Sequence, residues 1–206
     1  MAGGYSSVFR GSGIEFDDAT ASVFDDDGAP STRSALRLGM GTEVDSGAVG
    51  GTADAPTATA TSIRMVAEVV GLARAIDAAN GTLTVFDQTV KVDALTVFDA
   101  ALPNGLASVA DGAALRVYGS LDAAAGAYIA MRIEPVSTPL AAYKVRGTVK
   151  DLDTAARTFR IGAALFSYTG TQPLLVPEAF VRVTASTTPV AGRWVVVGVV
   201  AGARTL

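Results

Sequence analysis

Five aspartates crowd the first part of the chain, at Asp17, Asp18, Asp25, Asp26 and Asp27. Hard cations such as Ca²⁺ bind where several carboxylate oxygens converge, so Asp25, Asp26 and Asp27 are the candidate metal ligands. Their order lacks the alternating D-x-D-x-D-G pattern of a calcium loop, and Asp25-Asp26-Asp27-Gly28 reads equally as a solvated turn. Two carboxylates facing each other across a cleft could instead hydrolyse glycosides. Asp93 and Asp99, however, recur as Asp17 and Asp25, as turn-capping residues of a repeated unit would.

Other chemistry is excluded by what is missing. The 206 residues contain no Cys and no His, which removes thiolate nucleophiles, imidazole bases, disulfides and the usual zinc, copper and haem ligands. A Ser-Lys pair needs a buried lysine, and Lys91, Lys144 and Lys150 all lie in strand-like runs of alternating exposure. No phosphate-binding glycine loop precedes a helix, and the sequon Asn80-Gly81-Thr82 coincides with a hairpin turn. No catalytic residue and no cofactor are expected, and the chain is read as a non-enzyme. Aromatic rings on one sheet face could stack on a sugar or a base; Tyr118, Tyr128 and Trp194 are the ligand-binding candidates, with Tyr143 and Tyr168 beside them.

The elements that would position these residues are strands. Half the residues are apolar, 17% are charged and the net charge is −4, a composition that folds and offers no basic surface for nucleic acid. The longest apolar run, Trp194 to Ala203, is about half the ~20 residues of a membrane helix; it reads as a buried strand, and no transmembrane segment is expected.

Between Val66 and Pro135 come Glu68-Val-Val-Gly71, Thr82 to Phe86, Thr89 to Asp93, Thr96 to Asp99, Ala114 to Gly119 and Tyr128 to Glu134. Each alternates or is rich in β-branched residues. Asp77-Ala-Ala-Asn80-Gly81 supplies the turn of a hairpin. The Leu72 to Ile76 segment belongs to a strand, and the one helical turn expected is Pro103 to Ala110.

The pattern recurs. Lys144 to Val149, Thr158 to Ile161, Phe180 to Val183 and Trp194 to Val200 repeat it around the turn Asp151 to Ala156. Gly13 to Asp17, Val23-Phe24-Asp25, Leu38-Gly39-Met40, Thr42-Glu-Val44 and Ala58 to Ile63 repeat its later part. The expected architecture is all-β: tandem small OB-like or Greek-key β-barrels in about three repeats with the terminal copies incomplete. Residues 1–65 form the first, without its opening strand; 66–136 the second; 137–206 the third, with only Ala203 to Leu206 for a closing strand. Open edges pair readily, so they are expected to be covered by each other or by a neighbouring chain in a strand-mediated homo-oligomer.

Gly147-Thr148-Val149, Val90-Lys91-Val92-Asp93, Thr96-Val97-Phe98, Asp111-Gly112, Arg116-Val117-Tyr118-Gly119 and Ala130 to Glu134 together resemble the bacterial family known as domain of unknown function 5666. Gly4 to Phe9 is similar to the strand leading into that family's first barrel. The third copy departs from the pattern, with Val190-Ala191-Gly192-Arg193 where a glycine-aspartate pair precedes the strand. The resemblance implies export, to the periplasm or the cell surface, and no assigned activity. Met1-Ala2-Gly3-Gly4 is not a signal peptide, so an exported form would be the mature part with an added Met. The expected function is a non-catalytic exported module, a structural, adhesion or ligand-binding array whose partner is a glycan or a surface protein. The alternative is a carbohydrate-active or other hydrolase using Asp carboxylates.

Overall fold

The computed structural model describes residues 14–136 and 139–202 in full and Ser7–Val8 by backbone. Among these residues all regular structure is β except two 3₁₀ turns, Arg33–Ala35 and Gly105–Ser108. The chain forms two compact units, Met1–Val66 and Ala67–Arg204.

The first unit contains β1 (Ser7–Val8), β2 (Glu15–Asp17), β3 (Ser22–Phe24), β4 (Pro30–Ser31), β5 (Thr42–Ser46), β6 (Gly50–Thr52) and β7 (Ala55–Met65). The long β7 is its axis. β2 and β3 lie parallel to β7 one after the other, Phe16 beside Ala58 and Val23 beside Ile63, while β5 and β6 pair with it antiparallel. Threonines at 57, 59 and 61 face out while Ala58, Ala60, Ile63 and Met65 are buried. The buried phase changes from even to odd positions because a bulge opposite Asp45/Ser46 inserts one residue, and a one-residue slip swaps the faces of a strand. Phe16, Val23 and Ile63 centre this small core.

The second unit contains β8 (Val69–Asp77), β9 (Thr82–Val85), β10 (Gln88–Lys91), β11 (Val97–Phe98), β12 (Ala114–Asp122), β13 (Ala127–Pro135), β14 (Tyr143–Thr148), β15 (Lys150–Asp153), β16 (Thr158–Ile161), β17 (Ala164–Ser167), β18 (Phe180–Ala185) and β19 (Trp194–Ala201). Alternation sets the faces: Leu83, Val85 and Val90 go inward while Thr82, Thr84, Thr89 and Lys91 go outward. The Asp77 to Gly81 hairpin forms as expected, with Gly81 at φ +64°. Leu72 to Ile76 is strand, and the expected helical turn is the 3₁₀ turn at Gly105–Ser108.

One pairing order occurs twice in this unit. β8 pairs with β9 and β12, β9 with β10, β10 in parallel with β13, and β13 with β12. Correspondingly, β14 pairs with β18, β18 with β19, β19 in parallel with β17, β17 with β16, and β16 with β15, the continuation of β14. The register matches residue by residue: Val117 lies opposite Ile133 and Val183 opposite Val199. A bulge follows at Tyr118/Gly119 and at Thr184/Ala185, as at Asp45/Ser46 in the first unit. The extra residues are Met131, Val197 and Thr61. A second shared bulge puts Ala75 and Asp151 at φ 46° and 50°.

The expectation of tandem small OB-like or Greek-key barrels is corrected. Lys144 and Val145 of β14 pair with Val70 and Val69 of β8, so the strands from 69 to 201 form one twelve-stranded sheet, and the first unit has a seven-stranded one. The edges that would delimit separate barrels are spent on each other. The Trp194 run is a strand but not a buried one: only Val196 is buried, and Val197 and Val200 are 64% and 54% exposed. Its apolar residues occupy both faces, and only one face meets the core. Because β19 pairs with β18 as β13 does with β12, it closes the last repeat, and the expectation of only Ala203 to Leu206 for that strand is corrected; those four residues lie outside the described ones, as does Gly4 to Phe9 apart from Ser7–Val8, which forms β1 beside β2.

Candidate functional site

The carboxylates resolve into turns. Asp17, Asp25, Asp77, Asp93, Asp99, Asp122 and Asp153 each accept the backbone N–H two residues ahead, at 2.8–3.1 Å. This Asx-turn geometry holds the chain where one strand ends and the next begins. Asp25 Oδ1 accepts from both Asp27 and Ala29, which closes the loop through Gly28 at φ +83°. Asp26 is buried, Asp27 is exposed, and Asp18 pairs with Arg33. Among the described residues no three carboxylates converge as a metal site would require. The Asp77 carboxyl is held below its ordinary value of 3.8, chiefly by hydrogen bonds from the Asn80 side chain and backbone.

The three aromatic candidates do not share one open face. Tyr118 and Tyr128 are 2% and 1% exposed, and the Tyr128 hydroxyl donates to the Arg146 carbonyl. Burial, reinforced by the nearby Glu68 charge, pushes that hydroxyl far above its ordinary value. Trp194 is half-buried and occupies in its repeat the position of Tyr128: Tyr128 pairs with Val90 as Trp194 pairs with Phe166. Its indole lies 5.0 Å from the Phe86 ring and 5.4 Å from Tyr143, both edge to face, a geometry favoured by the ring quadrupoles. Tyr168 packs beside Phe159. The rings of Phe86, Tyr143, Phe166 and Trp194 form a joint between successive repeats.

The β9–β10 hairpin makes that joint. Its two-residue turn puts Phe86 and Asp87 at φ 47° and 57°, the positive values a tight hairpin demands. Held there, Phe86 enters the rings of Tyr143, Phe166 and Trp194. Asp87 accepts from the Trp194 indole N–H, and the Gln88 amide donates to the Ile161 carbonyl at 3.0 Å.

A second feature is a charged row across one sheet face, which the sequence reading missed because each member falls in an ordinary polar slot. On β14, Val145 and Gly147 face the core while Lys144 and Arg146 face away from it; Arg146 lies opposite Arg182 on β18. Glu68 precedes β8 and meets Arg146 at 3.7 Å, and Arg132 binds Glu134 at 2.6 Å and Asp99 at 3.2 Å. Glu68, Arg132, Lys144 and Arg146 are buried. A signal was present in the alternation of Val and Arg or Lys along Lys144-Val145-Arg146 and Val181-Arg182-Val183. Chemically the row locks strands through paired charges.

Residues 70–134 match the model of a family described as "Domain of unknown function (DUF5666)". The match covers the repeat from β8 to β13. No curated protein and no solved structure matches the chain. Among the described residues no helix is long and apolar enough to cross a membrane.

Proposed function

We propose that this chain is a non-catalytic module, exported to the periplasm or the surface of a bacterial cell, that acts as a structural or ligand-presenting β array. The observation that carries this reading is the use of seven aspartates, including Asp93 and Asp99, as turn acceptors for backbone N–H groups. A carboxylate committed to its own turn is poorly placed to act on a substrate. The repeat is read as OB-like in strand order, with the two copies of the second unit fused into one sheet; recurrence of one pairing order and one bulge supports this. Any glycan or surface-protein ligand would then meet the exposed residues of this array and not the buried rings of Tyr118 and Tyr128.

The test pairs stability with turnover. Asp99→Ala and Asp153→Ala, which remove the turn acceptor, are expected to lower the melting temperature while the chain and both variants show no hydrolysis of a panel of glycoside and ester substrates. Hydrolysis by the chain that is lost in Asp99→Ala would favour the hydrolase reading. Fractionation of cells that make the protein naturally is expected to place it outside the cytoplasm; recovery in the cytosol would refute export.

A further inference from the structure

The repeats differ at one place. In the first unit, 22 positions separate Asp17, at the end of β2, from Gly39; in the second, 21 separate Lys91, at the end of β10, from Gly112. Gly39 and Gly112 both have positive φ, 86° and 79°, and the corresponding residue in the last repeat is Glu178 at 66°. From Ser167, at the end of β17, to Glu178 there are only 11. The longer connections each contain a short strand of one pattern, Ser22-Val23-Phe24-Asp25 and Thr96-Val97-Phe98-Asp99. These strands, β3 and β11, run parallel to β7 and β13 and cover their outer edges, one residue apart in register: Val23 lies beside Ile63, and Phe98 beside the equivalent Ile133. The shorter connection carries Pro173 and Pro177 instead, and proline cannot donate to a ladder.

The edge left open belongs to β19. Beyond Val195, no strand among the described residues pairs with the side of β19 facing away from β18. Gly202 N–H donates to the Phe180 carbonyl; by the alternation of an antiparallel ladder, Gly198 and Val200 also bond towards β18, and Val199 and Ala201 present N–H and C=O outward. Val199 corresponds to Ile133, whose carbonyl accepts the Asp99 N–H at 3.0 Å, and Val196 to Ala130, whose carbonyl accepts the Thr96 hydroxyl at 2.7 Å. Flanking this edge, Val197 and Val200 are 64% and 54% exposed. Unpaired edges with apolar flanks recruit strands.

We propose that the outward edge of β19, from Val197 to Ala201, receives an extended strand of a partner polypeptide in parallel register, with the threonine-valine-phenylalanine-aspartate pattern that β11 uses within the chain. The partner's Asp N–H donates to the Val199 carbonyl, and its Ser or Thr hydroxyl to the Val196 carbonyl. The proposal goes beyond the scaffold reading and stands on β19 alone, wherever the protein resides.

The probe is a labelled, end-capped peptide of sequence Leu-Thr-Val-Phe-Asp-Ala, titrated into the full chain by fluorescence polarisation and into ¹⁵N-labelled chain by NMR. Saturable binding is expected, with amide shifts centred on Val197, Val199 and Ala201. N-methylation at the peptide's Asp, which removes the inward N–H, is expected to weaken binding about tenfold. N-methylation at Phe, whose N–H points away, should have little effect. Since both changes lie in the peptide, the fold of the chain is not in question. Absence of saturable binding at millimolar peptide, equal binding by the two methylated peptides, or shifts centred elsewhere would each overturn it.

Discussion

The Trp194 indole N–H donates to the Asp87 carboxylate at 2.6 Å, although 107 residues separate the two in sequence. Asp87 sits at the tip of the β9–β10 hairpin, and Trp194 opens β19 of the following repeat. One hydrogen bond and the Phe86 ring beside it therefore tie the turn of one repeat to the closing strand of the next. Asp87→Ala should cost about 1 kcal/mol, the usual net worth of such a bond, whereas Asp87→Asn, which keeps an acceptor oxygen, should cost less. Trp194 is the only tryptophan, so its emission during urea unfolding reads the effect directly. Equal midpoints for the chain and Asp87→Ala would show the bond to be idle.

Equivalent glycines should behave alike. A methyl group on Gly71 would lie 2.6 Å from Phe86 Cβ, and one on Gly147 would lie 2.3 Å from Ile161 Cγ2. Both glycines occupy the same place on the first strand of their repeats, Gly71 beside Leu115 and Gly147 beside Val181. Gly71→Ala and Gly147→Ala should each destabilise by about 1–3 kcal/mol, the range for overpacked cores. A neutral result at either position in chemical denaturation would mean that the close approach relaxes freely.

Much of this was legible in the residues. Period-two alternation marked β9, β10 and β18, the Asp77 to Gly81 turn marked the first hairpin, and Val23-Phe24-Asp25 against Val97-Phe98-Asp99 marked a repeated strand, although Val23 takes the place of Phe98 in the sheet. What escaped depends on neighbours that no local pattern specifies. The pairing of β14 with β8 joins two edges more than 70 residues apart, and so sheets expected to be separate are fused. Arg146 and Glu68 looked like ordinary outward residues because alternation tells which face a side chain takes, not whether that face is covered. Phe86 reads as a strand end by type, yet it is a turn residue at positive φ. The Trp194 run reads as buried because both its faces are apolar, but one face stays exposed.

Alkali should expose the Tyr128 burial. Burial, with the Glu68 charge second, raises the Tyr128 hydroxyl well above its ordinary 10.0. Above pH ~10 an unfolded tyrosine ionises while the folded one keeps its proton, so stability present below that pH is lost as pH rises. Tyr128→Phe should be less stable near neutrality by about 1 kcal/mol, since the Arg146 carbonyl loses its donor. It should also decline less steeply in alkali, measured by urea midpoints across the alkaline range. Parallel alkaline slopes for the two proteins would contradict the assignment.

Asp77 gives the opposite sign. Its carboxyl is lowered from 3.8 by Asn80 and then Ala79, so its contribution is present above the unfolded value and disappears as pH falls through the folded one. The Ala79 and Asn80 amide resonances should therefore shift with an acid midpoint below 3.8. In Asn80→Ala that midpoint should move up, because the largest cause is removed. An unchanged midpoint would assign the depression to the backbone alone.

The ion pair of Glu68 and Arg146 tests how the two repeats are held. Both side chains are about 95% buried and approach to 3.7 Å, and the Arg146 N–H donates to the Glu68 carbonyl where β14 meets β8. Removing one charge takes a partner from the other where water does not reach, a loss that costs up to about 3–5 kcal/mol. Removing both takes no partner from either, and apolar replacements of similar volume are often close to neutral. Arg146→Met and Glu68→Leu should therefore each be strongly destabilising alone, while the double variant should be clearly more stable than their sum implies. A double-mutant cycle by chemical denaturation reads the coupling as the departure from additivity. Strict additivity would mean that the two charges are satisfied by other groups, and that backbone pairing between β8 and β14 holds this seam without them.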